Sequence, residues 1–357
     1  MRDKVKTLAN LQNIGKKRAE VLTNAGFDSP EKIKNADFTQ LKRVPSIGFK
    51  IAYQLKNGDI EYVEMKELKE KMTIPVKIGN VEIQPIEWLL KPKEIKLQPE
   101  EFKLEDTTVW SFPQRGKWAT HTPDYRGNWS PQVVRNLILR YSKKGDTVLD
   151  PMVGGGTTQV ECLLTGRNSI GIDINRNAAL VTKNRLDFLI RNFRDKLPKT
   201  EHRVFVGDAR NMNLIEDGSI DFIATHPPYA NIIQYGELVD GDLSAIPDFE
   251  IYVKEMGKVA KEMYRVLKND GYAAVLLGDT HRNSYYVPIA YRVMLEFLRV
   301  GFVLKEDIIK IQWNCKSDAR WKNRNKNFLL VMHEHLFVFH KTKRKLKNSS
   351  ISFFKLG

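Results

Sequence analysis

The sequence predicts an α/β protein with a parallel central sheet, preceded by a small all-α domain. From about residue 126, short apolar segments alternate with amphipathic ones, and a glycine-rich turn follows the first apolar segment. This is the pattern of strands joined by crossover helices. A helical repeat comes earlier in the chain, and stretches of alternating polarity broken by prolines follow it. We therefore predict a helical domain over 1–58, a β-rich connector over 59–125, the α/β domain over 126–345 and a tail over 346–357.

The composition predicts a globular protein with a sizeable core. Hydrophobic residues make up 42% of the 357 positions, which excludes global disorder. No apolar run reaches the ~18 residues of a membrane helix, and the first residues do not resemble a signal peptide. Cys162 and Cys315 stand far apart, which argues against a disulfide framework and cysteine-ligated zinc. We therefore expect a cytoplasmic protein that does not bind a membrane.

The charge of the chain indicates a polyanionic partner. It carries 58 Lys+Arg against 43 Asp+Glu, a formal net charge of +15. Such an excess is typical of proteins that bind nucleic acid. Solvated surface lysines, which many basic proteins of thermophiles carry, are the alternative explanation.

Residues 11–22 and 44–55 form an internal repeat, LQNIGKKRAEVL and VPSIGFKIAYQL. Each copy predicts a short helix, a glycine turn and a second helix, whose first backbone N–H groups can face a phosphate. The repeat resembles the tandem helix-hairpin-helix domain, which binds nucleic-acid backbones. Residues 1–56 carry twelve Lys+Arg against five Asp+Glu, although a helical bundle for protein contacts is the alternative. The predicted nucleic-acid contacts are Gly15, Lys16, Lys17, Arg18, Gly48 and Lys50.

A cofactor crevice is predicted at the start of the α/β domain. The strand 146–150 is followed by the turn PMVGGGTT over 151–158 and by a helix, and the next strand, 169–173, ends in an aspartate. Glycines let the backbone approach a ligand, and a carboxylate at the second strand end can accept both hydroxyls of a ribose. A phosphate-binding loop would carry Gly-Lys-Ser/Thr, and Asp150 would repel a phosphate. A carboxylate there suits a cationic amino-acid tail, which S-adenosylmethionine has.

Residues 149–158, LDPMVGGGTT, resemble the Asp-Pro-Phe-x-Gly-Ser-Gly-Thr-Thr signature of N4-cytosine and N6-adenine DNA methyltransferases. Met152 and Gly155 depart from the Phe and the Ser of that signature. The resemblance implies a Rossmann-like S-adenosylmethionine-dependent methyltransferase domain, in which Asp208 contacts the adenine amino group of the cofactor. The cofactor contacts predicted in this way are Asp150, Pro151, Gly154, Gly156, Thr157, Thr158, Asp173, Asp208 and Thr225.

Residues 221–229, DFIATHPPY, resemble the Ser/Asp/Asn-Pro-Pro-Tyr motif of the same enzymes. An exocyclic amine on a base delocalises its lone pair into the ring, so its N–H bonds need acceptors before the nitrogen can attack a methyl group. His226 stands where the family has Ser, Asp or Asn, and a neutral imidazole can accept one N–H bond and take the proton. Two prolines hold a backbone carbonyl as the other acceptor, and the tyrosine can stack on a flipped base. The predicted catalytic residues are His226, Pro227, Pro228 and Tyr229.

The remaining sequence continues the alternation of strands and helices. Further elements are predicted as helices over 133–141, 252–267 and 286–298, a strand over 271–279, and a closing hairpin of strands 308–313 and 334–339. His333 and His335 would point to the same face of a strand, but no third ligand is evident, so we predict no metal site. Methylation at carbon 5 of cytosine needs a cysteine nucleophile, and neither cysteine lies in a Pro-Cys context.

The segments 230–249 and 314–328 are short for the target-recognition insert of a sequence-specific DNA methyltransferase. The second interleaves cations with an aromatic residue, which suits phosphates and a stacked base, although a solvated loop is the alternative. Its predicted contacts are Arg320, Trp321, Lys322 and Arg324.

The favoured reaction is N4 methylation of cytosine, because the motif lacks the Asp that is commoner in adenine enzymes. The family resemblance implies DNA as the substrate. The alternatives are N6 methylation of adenine, cytosine in a structured RNA such as ribosomal RNA, and a non-catalytic nucleic-acid-binding protein.

Overall fold

The computed structural model describes residues 2–9, 14–36, 40–41, 43–47, 55, 71–213, 215–229, 242–313 and 327–342. The chain divides into two compact units, residues 1–62 with 212–216 and residues 63–211 with 217–357. No helix within the described ranges is long and apolar enough to cross a membrane.

The first unit is mainly helical in its described residues. Helix α1 spans Arg2–Ala9, α2 spans Gly15–Asn24 and α3 spans Pro30–Asn35. Ser29 caps α3 by accepting a hydrogen bond from the backbone N–H of Lys32, and a proline follows the cap at the first helical position. The predicted helical character of this domain is confirmed. Apolar residues from both copies of the repeat form one buried cluster that includes Leu8, Ile14, Ala19, Leu22, Ile33, Leu41, Val44 and Ile47.

The second unit contains twelve strands in its described residues. They are β1 (Val76–Ile78), β2 (Val81–Ile83), β3 (Val109–Trp110), β4 (Thr147–Asp150), β5 (Asn168–Asp173), β6 (His202–Val206), β7 (Ile220–Thr225), β8 (Leu267–Leu277), β9 (Thr280–Arg282), β10 (Tyr285–Val287), β11 (Val303–Ile311) and β12 (His333–His340).

Eight of these strands pair in one sheet in the order β3-β11-β12-β8-β7-β4-β5-β6. Neighbours from β8 to β6 run parallel, whereas β12 is antiparallel to both β11 and β8. The β11–β12 pair is the predicted closing hairpin. A mainly parallel sheet of this kind confirms the predicted Rossmann-like α/β fold.

Six α-helices are described in the second unit, and those between parallel strands provide the crossovers. They are α4 (Ile86–Leu89), α5 (Pro131–Tyr141), α6 (Thr157–Thr165), α7 (Arg176–Phe193), α8 (Phe249–Val266) and α9 (Ile289–Val300). Val133, Leu137 and Ile138 of α5 are fully buried in a cluster with sheet residues such as Phe222 and Leu336. The cluster also contains Val148 of β4 and Ala224 of β7, two strands whose ends carry the predicted site.

Helices α7 and α9 differ from the sequence prediction, and strands β8 and β11 begin four and five residues earlier than predicted. The helix predicted over 286–298 begins at Ile289, because residues 280–287 form the hairpin β9–β10. Helix α7 is not among the predicted elements, although Asn175 caps it by accepting from the backbone N–H groups of Asn177 and Ala178.

The predicted connector over 59–125 is described from residue 71 onward. It contains the hairpin β1–β2 and the short strand β3, and the rest is α4 and irregular segments, so this part is less rich in strands than predicted. Ile86 and Trp118 pack in one apolar cluster with residues of α6 and α7. The division of the sequence at residues 58, 125 and 345 stays a prediction.

Candidate active site

A cleft opens where β4, β5 and β7 end. These three strands are parallel neighbours, so their carboxyl ends meet at the same edge of the sheet, the usual ligand position in such folds. The lining includes residues 150–155, 173–175 and 207–209, together with His226 and Pro228. The sequence motifs predicted from separate parts of the chain are therefore brought together.

The glycine loop between β4 and α6 passes close to α7 and to Tyr125. Gly156, the N-cap of α6, has a φ of 80° in the left-handed region, which a residue with a Cβ rarely adopts. A Cβ on Gly155 would lie 2.6 Å from Nη1 of Arg185 and 2.9 Å from Cβ of Tyr125. Arg185 is itself buried and donates to the carbonyl of Gly155 and to Asp124. The packing of Arg185 and Tyr125 explains why this loop carries glycine where the family signature has serine.

Asp173, at the end of β5, is tied to the glycine loop. Its Oδ2 accepts from the N–H of Gly154 at 2.8 Å, and its Oδ1 accepts from the N–H of Asn175 at 2.9 Å. Burial raises the pKa of this carboxyl to about 7, more than these two hydrogen bonds lower it, and the nearby charges of Asp242 and Asp150 raise it further. A polar or cationic ligand that reaches this carboxyl would favour its ionised form.

Asp150, at the end of β4, is buried beside the start of α6. Its Oδ2 accepts from the hydroxyl of Thr158 at 2.6 Å and its Oδ1 accepts from the N–H of Met152 at 3.2 Å. Burial raises the pKa of this carboxyl to about 6. The buried hydroxyl of Thr225, at the end of β7, lies close enough to lower that pKa, but it has no hydrogen bond of regular geometry within the described ranges.

Asn128 is a cleft residue that the sequence motifs do not contain. Its Oδ1 accepts from the Thr157 hydroxyl at 2.5 Å, and its Nδ2 is buried with no hydrogen-bond partner among the described residues. A buried donor without an acceptor costs free energy unless a ligand satisfies it, and the carboxylate of an amino-acid tail can do so. The carboxyls of Asp150 and Asp173 complement the cationic groups and ribose hydroxyls of S-adenosylmethionine. The cleft therefore fits this cofactor.

Asp208 lines the cleft in the segment after β6. Its carboxylate is held by the guanidinium of Arg210, with 3.0 Å from Nε to Oδ1 and 2.6 Å from Nη2 to Oδ2. Arg210 also donates to Glu255 on α8 at 2.6 Å. The hydrogen bonds from Arg210 hold the carboxylate of Asp208 in place. Contact between Asp208 and the adenine of the cofactor stays a prediction.

The loop after β7 places its four motif residues in different surroundings. His226 and Pro228 line the cleft, and Pro227 is buried. The Pro228 carbonyl accepts a hydrogen bond of 2.5 Å from the hydroxyl of Tyr252 on α8. The ring of Tyr229 packs against Gly278, where an added Cβ would lie 2.6 Å from Cε2 of the ring. Stacking of Tyr229 on a flipped base stays a prediction.

The hydroxyl of Tyr229 joins His226 to Glu334 on β12. It lies 2.5 Å from Nε2 of His226 and donates to Oε1 of Glu334 at 2.8 Å. Burial lowers the pKa of His226 to about 4, with Lys310 lowering it further, while Glu334 and the carbonyl of Gly127 oppose this shift. The imidazole is therefore neutral at neutral pH, as an acceptor of an N–H bond must be.

The predicted nucleic-acid contacts are only partly within the described residues. Gly15 begins α2, Lys16 and Lys17 on its first turn are exposed, and Arg18 is half-buried. The remaining predicted contacts, Gly48, Lys50, Arg320, Trp321, Lys322 and Arg324, lie outside the described residues. No group of three or more His, Cys, Asp or Glu side chains that could hold a metal occurs in the part of the chain that is described.

The parallel sheet, the glycine loop and the acidic residues at consecutive strand ends define the class of S-adenosylmethionine-dependent methyltransferases. Comparison with known proteins gives the family. Residues 46–184 and 220–354 match the profile of N6 and N4 methyltransferases described as DNA methylase, and residues 5–58 match a helix-hairpin-helix tandem. Residues 137–243 also match an RMKL-like methyltransferase domain. The chain belongs to the DNA methylase family, and its cofactor is S-adenosylmethionine.

Relatives of known name match only parts of the chain. The type II methyltransferase M.MjaII of Methanocaldococcus jannaschii is 30% identical over 130 residues, 36% of this chain and 24% of that protein. The tRNA (guanine(10)-N2)-dimethyltransferase of Methanothermobacter thermautotrophicus is 33% identical over 106 residues, 29% of each protein. The chain thus spans less than a third of the length of both relatives. A solved SAM-dependent methyltransferase of Methanosarcina mazei has 17% identity and a TM-score of 0.40 over 58% of this chain and 97% of its own.

Proposed function

We propose that this protein transfers the methyl group of S-adenosylmethionine to the N4 amine of cytosine in nucleic acid. The observation that carries the proposal is the imidazole of His226. It lines the cofactor cleft, is neutral because burial lowers its pKa to about 4, and has an Nδ1 atom that is buried without a hydrogen-bond partner in the described structure. An exocyclic amine needs such an acceptor before its nitrogen can attack.

The cleft residues divide into two groups in this proposal. Asp150, Asp173 and the glycine loop bind the cofactor, with Asn128 Nδ2 as the donor to its carboxylate. When bound, S-adenosylmethionine supplies an electrophilic methyl group. His226 accepts one N–H bond of the target amine, and a carbonyl of the Pro227–Pro228 turn accepts the other. The Pro228 carbonyl already accepts from Tyr252, which orients it and leaves it one further lone pair.

The proposed base rests on the motif. The adenine enzymes of the family commonly carry aspartate where this chain has His226, and the absence of that aspartate favours cytosine. DNA is the proposed polymer because the chain belongs to the DNA methylase family and carries a helix-hairpin-helix tandem. The net charge of +15 supports a nucleic-acid substrate of either kind.

Cytosine in a structured RNA is the second candidate substrate. The observation that favours it is the tRNA (guanine(10)-N2)-dimethyltransferase among the relatives, which matches at 33% identity. The name of that enzyme gives N2 of guanine as the methylated atom, which is also an exocyclic amine. The acceptors proposed in the loop after β7 would serve such an amine in the same way. A folded RNA would be recognised by shape and single-stranded loops, without a large recognition insert.

A methyl-transfer assay with mass spectrometry tests both candidates. The full chain is incubated with labelled S-adenosylmethionine and with either duplex DNA or total folded RNA, and the modified nucleosides are identified. N4-methylcytidine or its deoxy form is the expected product, and its sugar identifies the polymer. N6-methyladenine as the product would overturn the choice of base. Absence of any product together with no calorimetric binding of the cofactor would support the non-catalytic alternative.

A further inference from the structure

Two charged residues on the closing hairpin connect to the candidate catalytic loop. Lys310 on β11 donates to Oε2 of Glu334 on β12 at 2.7 Å, and Oε1 of Glu334 accepts from the Tyr229 hydroxyl at 2.8 Å. The same hydroxyl lies 2.5 Å from Nε2 of His226. Glu334 is almost fully buried, with a side-chain exposure of 6%. Burying a carboxylate costs free energy unless ion pairs and hydrogen bonds offset it. Lys310 and Tyr229 supply both here, and the proposed function does not use Glu334.

The chemistry of each group fixes the direction of the hydrogen bonds. Lys310 favours the ionised form of Glu334, and the pKa of this carboxyl is lowered despite its burial, so both of its oxygens are acceptors. The single proton of the Tyr229 hydroxyl must therefore point to Glu334. The hydroxyl oxygen can then only accept from the imidazole, which requires the proton of neutral His226 to be on Nε2.

A neutral imidazole with its proton on Nε2 has its lone pair on Nδ1. Nδ1 of His226 is buried and has no hydrogen-bond partner among the residues that the structure describes. The carbonyl of Gly127 lies near enough to raise the pKa of the ring, without hydrogen-bond geometry to Nδ1. Trp129 flanks the ring on the cleft side, with 5.9 Å between ring centroids. In the Nε2–H form, Nδ1 is thus an acceptor without a partner among the described residues. The nearby Gly127 carbonyl would favour the other tautomer, so the hydrogen bond from Nε2 to Tyr229 has to hold the proton on Nε2.

We propose that Lys310, Glu334 and Tyr229 are positioning residues that hold His226 as the Nε2–H tautomer, so that Nδ1 accepts the N–H of the target amine. This inference rests on the proposed function. As the amine nitrogen forms its bond to the methyl carbon, the carbon–sulfur bond breaks and sulfur keeps the electron pair. One amine proton moves to Nδ1. The resulting imidazolium faces Glu334, whose Oε1 is 3.9 Å from Nε2, and releases the proton to water when the product leaves.

The substitution Glu334→Gln tests this arrangement. A glutamine amide can donate to the Tyr229 oxygen, which lets the hydroxyl turn and donate to Nε2 of His226. The ring proton then moves to Nδ1, and the acceptor is lost. We expect kcat to fall by ~10²- to 10⁴-fold, the range for a lost or wrongly protonated base. The Kd for S-adenosylmethionine should not change, because Glu334 does not line the cofactor cleft.

A second readout needs neither cofactor nor substrate. Long-range proton–nitrogen correlation spectra of the free protein, labelled with ¹⁵N-histidine, report which ring nitrogen carries the proton, and the His226→Asn variant assigns the signals. The wild type should show the Nε2–H form, and Glu334→Gln should shift His226 toward Nδ1–H. Tyr229→Phe, which removes the hydroxyl and keeps the ring, should give a mixture of the two forms. An Nδ1–H signal in the wild type would overturn the proposal.

Asp307→Asn is the matched control. Asp307 lies on β11 in the same hairpin and contacts Nδ1 of His335 at 3.1 Å, so the variant makes the same carboxylate-to-amide change beside another histidine. The His226 signals and kcat should stay as in the wild type. If Glu334→Gln and Asp307→Asn lower kcat equally, the hairpin has only a structural role. Failure to methylate any nucleic acid would contradict the proposed function, whereas the tautomer result would stand by itself.

Discussion

The backbone N–H of Gly154 donates to Oδ2 of Asp173 over 2.8 Å. This bond joins the turn after β4 to the end of β5, so the glycine loop and the second acidic residue form one structural unit. The other oxygen of Asp173 accepts from Asn175, which begins α7 as its N-cap. The carboxylate therefore holds three elements of the cofactor cleft together.

Asp173→Asn should weaken binding of S-adenosylmethionine while leaving the fold intact. The amide has a similar shape but no charge, and its NH₂ group cannot accept from Gly154 or from a ribose hydroxyl. Loss of hydrogen bonds to a charged group corresponds to ~1.5–3 kcal/mol of binding free energy, measured by isothermal calorimetry. Asp307→Asn, on β11 outside the cleft lining, is the control. Equal affinity of Asp173→Asn and wild type would contradict the ribose role of this residue.

The affinity for the cofactor should rise with pH between about 5 and 8. The pKa of Asp150 is raised to about 6 and that of Asp173 to about 7 in the free protein, and the cofactor prefers both carboxyls ionised. Below these values a proton must leave before the cofactor binds, which lowers the apparent affinity. Calorimetry at several pH values should show this rise level off above pH 8. A flat profile would show that neither carboxyl meets the cofactor.

The carboxyls of Asp150 and Asp173 should make the free protein less stable as the pH rises, whereas the affinity for the cofactor increases. Both pKa values lie above the ordinary value of 3.8 that applies in the unfolded chain, so the folded state binds these protons more tightly. Their contribution to the free energy of unfolding is complete below about pH 4 and is lost as the pH rises through 6 and 7. Denaturant unfolding of the free chain, compared with Asp173→Asn, measures the part that belongs to Asp173. An unchanged pH dependence in the variant would contradict this assignment.

Gly155→Ser restores the family residue in the glycine loop and should destabilise this protein. The added Cβ would meet Arg185 at 2.6 Å and Tyr125 at 2.9 Å, and such overpacking costs ~1–3 kcal/mol of the free energy of unfolding. Met152→Phe, which restores the other family residue, is the comparison. Met152 is only half-buried, so a smaller loss is expected there. Equal stability of Gly155→Ser and wild type in denaturant unfolding would show that Arg185 can move aside.

The cofactor half of the site was predictable because its chemistry is local in the sequence. Asp150 and the glycine loop are adjacent in the chain, and the aspartate of the next strand follows within 23 positions. Asn128 and Arg185 were not found, because each reaches the glycine loop from a separate element and has no motif around it. The hydrogen bond from Tyr229 to Glu334 joins residues 105 positions apart. Glu334 lies on β12, which pairs with β8, and the sequence order does not reveal this pairing.

His226→Ala should lower turnover while cofactor binding survives. Removal of a positioned base costs ~10²- to 10⁴-fold in kcat, whereas the residues that we assign to the cofactor, Asp150 and Asp173, are unchanged. His226→Asp or His226→Ser would restore a family residue and should keep partial activity. Single-turnover methylation with saturating substrate measures the effect, and calorimetry checks the cofactor. Full turnover in His226→Ala would leave the Pro227 carbonyl as the only required acceptor.

The double variant Lys16→Ala, Lys17→Ala should weaken nucleic-acid binding and reduce its salt dependence. Both side chains are exposed on the first turn of α2, where the helix-hairpin-helix resemblance predicts a phosphate. Each lost phosphate contact should lower the slope of log K against log salt by ~0.7–0.9. Lys4→Ala, Lys32→Ala is the matched control, because both of those ammonium groups are paired with Asp28 and removing them changes the net charge equally. If both double variants lower the slope by the same amount, overall charge attracts the nucleic acid and α2 makes no specific phosphate contact.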